Sequence, residues 1–317
     1  MAYLKVPRFG KVGKHWTHSG DIARAVLAEF LGTALFIFVG VGASISTGSS
    51  PETDGGTVMT DARMVALGIA YGLTLVAIVA TFANISGGHF NPAVSAAFFV
   101  TGNMTFLKTA AYIIAQLVGS ILGAAFLRAA IPGSLLGHGT ARGGVTTLAH
   151  GVTQAQGWLM ETIITFALVF VIFGTVVDKE KASPLAPIPV GFIVAGNMIC
   201  AVRFTGAGMN PARSFGPSVV FGEWGRHGQH WLYWIGPIGG GIIAGLTYEL
   251  IFLCAPKKGH DEEEDTTKKY GPSARTGTQA ATQSVDQSVQ NQPSRTARAA
   301  RAPEVKVAVP PASSAAV

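Results

Sequence analysis

The chain has 317 residues, of which 49% are hydrophobic and only 13% charged, with a formal net charge of +6. That balance is too apolar and too poor in charge for an ordinary soluble domain. The positive charge gathers at the two ends of the chain without an aromatic-interleaved basic motif, so nucleic acid is not an expected partner.

Six apolar runs explain the composition, at about residues 22–46, 64–82, 106–131, 158–177, 188–202 and 231–254. Each has the length of a membrane span, the fifth being short. A soluble protein with buried core helices would not need six of them. Lys5, Arg8, Lys11, Lys14 and Arg24 precede or open the first run. Lys257, Lys258, Lys268, Lys269, Arg275, Arg295, Arg298, Arg301 and Lys306 follow the last. An even number of spans puts both termini on one side, and the positive-inside bias makes that side cytoplasmic. The polar N-terminal segment, residues 1–21, carries no clear cleavage site, so the first span is expected to be retained. Cys200 and Cys254 fall within or at the end of spans, which favours packing over a disulfide framework or a metal site.

In chain order, the first span carries Glu29 and Thr33, and the fourth carries Glu161 and Thr165. That spacing places acid and hydroxyl one turn apart on one helix face. An acid inside a span is costly and usually faces protein or a water-filled cavity. After the second span come Ser86, Gly87, Gly88, His89, Phe90, Asn91, Pro92, Ala93, Val94 and Ser95. Their twin after the fifth span is Thr205, Gly206, Ala207, Gly208, Met209, Asn210, Pro211, Ala212, Arg213 and Ser214. In both, Asn reads as a helix N-cap and Pro as the first helical residue, where its missing N–H costs nothing. The third and sixth spans also correspond, Ala115 to Gly119 answering Gly236 to Gly240. At the two Asn-Pro-Ala stretches the chain resembles the aquaporin family of membrane channels, over roughly residues 22–254.

The expected fold is an all-α membrane protein with six transmembrane helices and two re-entrant half-helices. Three spans per repeat is an odd number, so the second copy inserts upside down and an inverted repeat follows, about 22–131 and 158–254. Stretches 83–103 and 204–221 are too apolar for ordinary loops, and 94–100 and 213–221 suit half-span helices. Non-helical backbone at membrane depth needs protein or a water-filled path to satisfy it. Gly87, Gly88, His89, Gly206 and Gly208 are therefore expected to turn carbonyls toward a pore. Gly119, Gly123, Gly240, Gly241 and Gly245 would let helices approach closely around it.

Two half-helix N-termini pointing at each other each present a partial positive charge of roughly half a unit. The Asn91 and Asn210 amides would cap the helices and offer N–H donors inward, so a passing water accepts from both and a proton-conducting chain is broken. Arg213 is a permanent charge at membrane depth and should face water or a partner.

The resemblance implies more. It makes Glu29 and Glu161 braces for the Asn-Pro-Ala loops. It puts Tyr71, Met198, Ala207 and Arg213 at the narrowest constriction, where many orthodox water channels have Phe, His, Cys or Ala, and Arg. Met198 in place of His removes a polar partner and leaves glycerol or urea open as solutes; a shift of one residue would bring Asn197 there instead. Ser214, Tyr233 and Trp234 match the water-selective branch, while Ser218 stands where that branch usually has Ala. The resemblance implies a homotetramer in a lipid bilayer, and the plasma membrane is the expected location. No cofactor is suggested, and no enzymatic motif occurs.

A passive water channel is the first reading, with a broader neutral-solute channel or a structural membrane protein on the same fold as alternatives. Sequons at Asn84 and Asn103 lie on or beside the cytoplasmic re-entrant loop and are not expected to be glycosylated. His138 and His150 fall in an outside loop and read as solvated. Residues 255–317, rich in Ser, Thr, Gln and Ala, read as a disordered cytoplasmic tail, with Ser273, Thr276 and Thr296 near basic residues.

Overall fold

The computed structural model describes residues 19–48, 59–136, 143–178 and 183–253. The tail, Cys254, His138 and nearly all of the N-terminal segment lie outside the described residues.

Among the described residues eight α-helices make the fold: α1 (Ser19–Ser46), α2 (Asp61–Ser86), α3 (Pro92–Val100), α4 (Phe106–Ala130), α5 (Gln154–Ile172), α6 (Pro187–Thr205), α7 (Pro211–Phe221) and α8 (Leu232–Thr247). Short π-helical turns, Phe173–Val177 and Tyr248–Leu253, prolong α5 and α8. Among the described residues six helical segments are long and apolar enough to cross a membrane, with mean hydropathy between 1.4 and 2.2. The chain is an integral multi-pass membrane protein. Among the described residues there is no strand.

The spans extend past their apolar runs because polar residues begin and end them. Thr60, Thr105 and Thr153 cap α2, α4 and α5, each accepting from the backbone N–H three residues on. At Thr153 the cap is reciprocal, since Gln156 Oε1 accepts from the Thr153 N–H at 2.9 Å. The half-helices begin at Pro92 and Pro211, two residues earlier than the apolar runs suggest, because proline fits the first turn.

Polarity is distributed as lipid demands. Leu73, Ile114, Ile163 and Phe192 are exposed on the outer faces, while Glu29, Gln116, Glu161 and Arg213 are buried. Helix contacts repeat in the two halves: α1 packs on α4 as α5 packs on α8. Small residues allow it, for a Cβ at Gly119 would strike the Phe30 carbonyl and one at Gly240 the Thr162 carbonyl. The half-helices are exchanged, α7 resting on α4 of the first half and α3 on α8 of the second. Between the halves, α2 meets α6 where Gly72 and Gly191 face each other's carbonyls.

Candidate functional site

The site is built where α3 and α7 begin. Each feeder helix ends on a glycine in the left-handed region, Gly87 at φ 97° and Gly206 at φ 79°. Their N–H groups close the helices on Ala83 and Val202. Gly88 (φ 67°) and Ala207 (φ 50°) continue the turn, then Phe90 (φ 48°) and Met209 (φ 53°). All three pairs of equivalent residues lie at positive φ, so the two loops follow one backbone path.

Two buried carboxylates hold that path. Glu29 Oε1 accepts from Ser86 Oγ (2.7 Å) and the His89 N–H (2.9 Å), and Oε2 from the Phe90 N–H (2.7 Å) and Gln116 Nε2 (2.8 Å). Glu161 Oε1 accepts from Thr205 Oγ1 (2.6 Å) and the Gly208 N–H (2.8 Å), and Oε2 from the Met209 N–H (2.8 Å). The loop carbonyls are met as well. Tyr112 Oη donates to the Ser86 carbonyl and Tyr233 Oη to that of Thr205, both at 2.6 Å. This is how irregular backbone survives away from water.

Asn91 and Asn210 do two jobs each. Their Oδ1 atoms cap the half-helices, accepting from the Ala93 and Ala212 N–H groups at 2.9 Å. Their Nδ2 atoms cross to the other loop, Asn91 to the Met209 carbonyl (2.9 Å) and Asn210 to the Phe90 carbonyl (2.8 Å). One N–H of each amide remains for a guest. Pro92 and Pro211 open the half-helices, and Ala93 and Ala212 are fully buried behind them. The Ala212 carbonyl accepts from Ser120 Oγ on α4.

A small cavity runs past both asparagines. Gly88, His89, Phe90, Ala207, Gly208, Met209 and Arg213 supply its polar side, and Phe36, Leu75, Val79, Leu168, Val190 and Val194 its apolar wall. The centres of water-sized spheres find about 40 Å³ in it, where one water needs about 10–15 Å³. It therefore has room for about three waters. Gly87 and Gly206, expected on the wall, instead terminate α2 and α6, because their left-handed φ is what turns the chain.

Arg213 reaches the cavity from the first turn of α7. Its Nη1 donates to the Gly144 carbonyl (3.0 Å) and its Nη2 to Tyr71 Oη (2.7 Å), with its Cζ 5.3 Å from the centroid of the Tyr71 ring. Tyr71, Ala207 and Arg213 all line the cavity. Met198 is buried in the apolar cluster that holds Tyr71 and Ala207 and is not among the lining residues. Asn197 donates to the Ile164 carbonyl at 2.7 Å, which ties it to α5 and not to the cavity.

Gly144 escaped sequence reasoning, since its segment has no helical or strand period. The Gly143 and Gly144 pair, at φ 65° and 67°, was its one signal. Tyr112 was equally hidden, an unremarkable aromatic in an apolar run.

Against known proteins, the profile of the Major intrinsic protein family matches residues 16–248. The chain belongs to that family. Aquaporin TIP1-2 of Zea mays is 40% identical over 252 residues, 79% of this chain and 93% of that protein. Aquaporin TIP2-1 of Zea mays is 41% identical over 247 residues, 77% of this chain and 93% of that protein. The X-ray structure of the aquaglyceroporin from Plasmodium falciparum shares the fold, with a TM-score of 0.61 at 23% identity, covering 73% of this chain and 96% of that one. As a member of the Major intrinsic protein family the chain is a membrane channel and not an enzyme.

Proposed function

We propose that the chain conducts water passively, one file per chain, and excludes protons and ions. The observation that carries this reading is the meeting of two half-helix N-termini at Asn91 and Asn210 beside a cavity with room for about three waters. Two positive helix ends and the Arg213 guanidinium repel cations. The asparagine N–H groups left over after the cross-loop bonds orient a passing water and interrupt proton transfer along the file. Family membership supports a channel for water and small solutes, and the small volume of the cavity favours water.

Glycerol or urea as additional solutes is the second reading: the resemblance puts Met198 where many orthodox water channels carry His, although its side chain does not line the cavity. Tyr71, Ala207 and Arg213 form the constriction in our assignment, with Met198 within the cluster packed around them. We assign both termini to the cytoplasm, a homotetramer to the assembly and the plasma membrane to the location. Imaging of the full chain tests the location, and an intracellular membrane overturns it.

Stopped-flow light scattering on proteoliposomes decides between the readings, with water and glycerol gradients run side by side. Fast water flux with negligible glycerol flux and no proton leak is expected. Fast glycerol flux favours the broader channel, and no flux of either favours the structural alternative.

A further inference from the structure

We infer that Ser44, on the last turn of α1, sets the selectivity of the constriction by holding Arg213 through a hydrogen-bond relay across Tyr71. This rests on the channel reading above and goes past it, since Ser44 is not among the residues lining the cavity.

Tyr71 Oη accepts a charge-assisted bond from Arg213 at 2.7 Å, so its own O–H is free to donate onward. Ser44 Oγ lies 3.2 Å from it and itself reaches the Gly40 carbonyl at 3.4 Å. We assign the relay the direction guanidinium to phenol to serine to backbone, in which each hydroxyl donates once. The second partner of Arg213, the Gly144 carbonyl, rests on the same helix face. A Cβ at Gly144 would lie 2.7 Å from Val41 Cγ1 and 3.4 Å from Ser44 Cβ. Gly40 makes room for the phenol, since a Cβ there would lie 2.7 Å from a Tyr71 ring carbon. Arg63 fixes the turn from outside, its Nη2 donating to the Ser44 carbonyl at 3.1 Å.

Both groups that hold the guanidinium thus stand on one face of α1. A guanidinium tied on two sides keeps one position, and the opening beside Ala207 keeps one width. Without the Ser44 hydroxyl, Tyr71 Oη loses its second partner and Arg213 gains freedom to swing. The gap then admits neutral solutes wider than water.

The test is stopped-flow light scattering on proteoliposomes holding wild type, Ser44→Ala, Tyr71→Phe, the double variant and Ser44→Thr. The reading is the ratio of glycerol to water permeability, which does not depend on how much of each variant folds. Ser44→Ala and Tyr71→Phe are each expected to raise the ratio by roughly three- to tenfold. The double variant should rise no further than Tyr71→Phe alone, because one relay is being cut twice. Ser44→Thr, which keeps the hydroxyl, should match wild type. Thr74→Ala is the control, its hydroxyl being bonded to its own helix at the Ala70 carbonyl. A ratio within about twofold of wild type in both single variants, or additive rises in the double, overturns the inference while leaving the channel standing. A wild type that carries no water overturns the channel reading and the inference together. If Ser44→Ala yields no protein, Ser44→Val, which removes the hydroxyl and fills the space, takes its place.

Discussion

Asn91 and Asn210 each donate a side-chain N–H to the carbonyl that immediately precedes the other, at 2.9 and 2.8 Å. Two loops some 120 residues apart are thereby stitched at the residues that also start the half-helices. Replacing Asn210 by Ala removes an N-cap, worth about 0.5–2 kcal/mol, and strands the Phe90 carbonyl, worth about 1–3 kcal/mol. The expected loss is about 2–4 kcal/mol, read as a lower unfolding midpoint in detergent. A variant as stable as wild type would show that the stitch is dispensable.

The two carboxylate braces are unequal. Glu29 takes an extra bond from Gln116, where the corresponding position of the second half is Pro237 and Glu161 manages with three donors. Gln116→Leu should therefore cost about 1–3 kcal/mol of stability and leave water flux within about twofold of wild type. Lost flux at normal stability would mean that Gln116 acts on the pore itself.

Close helix approach makes a sharper contrast. Gly240→Ala drives a methyl into the Thr162 carbonyl, and α5 and α8 must part, at a cost of about 1–3 kcal/mol or more. Gly196→Ala meets nothing within 4 Å and should stabilise α6 by about 0.5–1 kcal/mol. Thermal unfolding of the two purified variants should move in opposite directions.

Met198 is buried without lining the cavity. A volume-conserving change to Leu should cost less than about 1.5 kcal/mol and leave the glycerol-to-water ratio within about twofold. A larger rise in that ratio would put Met198 back in the constriction.

What could be read beforehand follows from how local each feature is. The six spans, the half-helices and the caps at Asn91 and Asn210 depend on neighbouring residues, and apolar runs with Asn-Pro are visible as such. The donors that converge on Glu29 come from α2, the loop after it and α4, and no periodicity records that meeting. Tyr71 was placed at the constriction by resemblance alone, yet its hydroxyl matters through Ser44, 27 residues earlier on another helix. Gly144 belongs to a segment whose course is set by what it touches. The polar ends of α2, at Asp61 and Ser86, were missed because hydropathy fades before the helix does.

The exchange of half-helices has a consequence for biogenesis. The main support of α3 is α8, whose first residue is Leu232, whereas α3 is complete at Val100. At roughly 5–20 residues per second, a ribosome needs on the order of ten seconds to bridge that interval. Through that time a helix that enters the membrane without crossing it must wait beside the translocation machinery, with its capping amide lacking the carbonyl it will meet. A nascent chain arrested before Leu232 should accordingly leave α3 open to aqueous labelling, and release through the end of α8 should bury it.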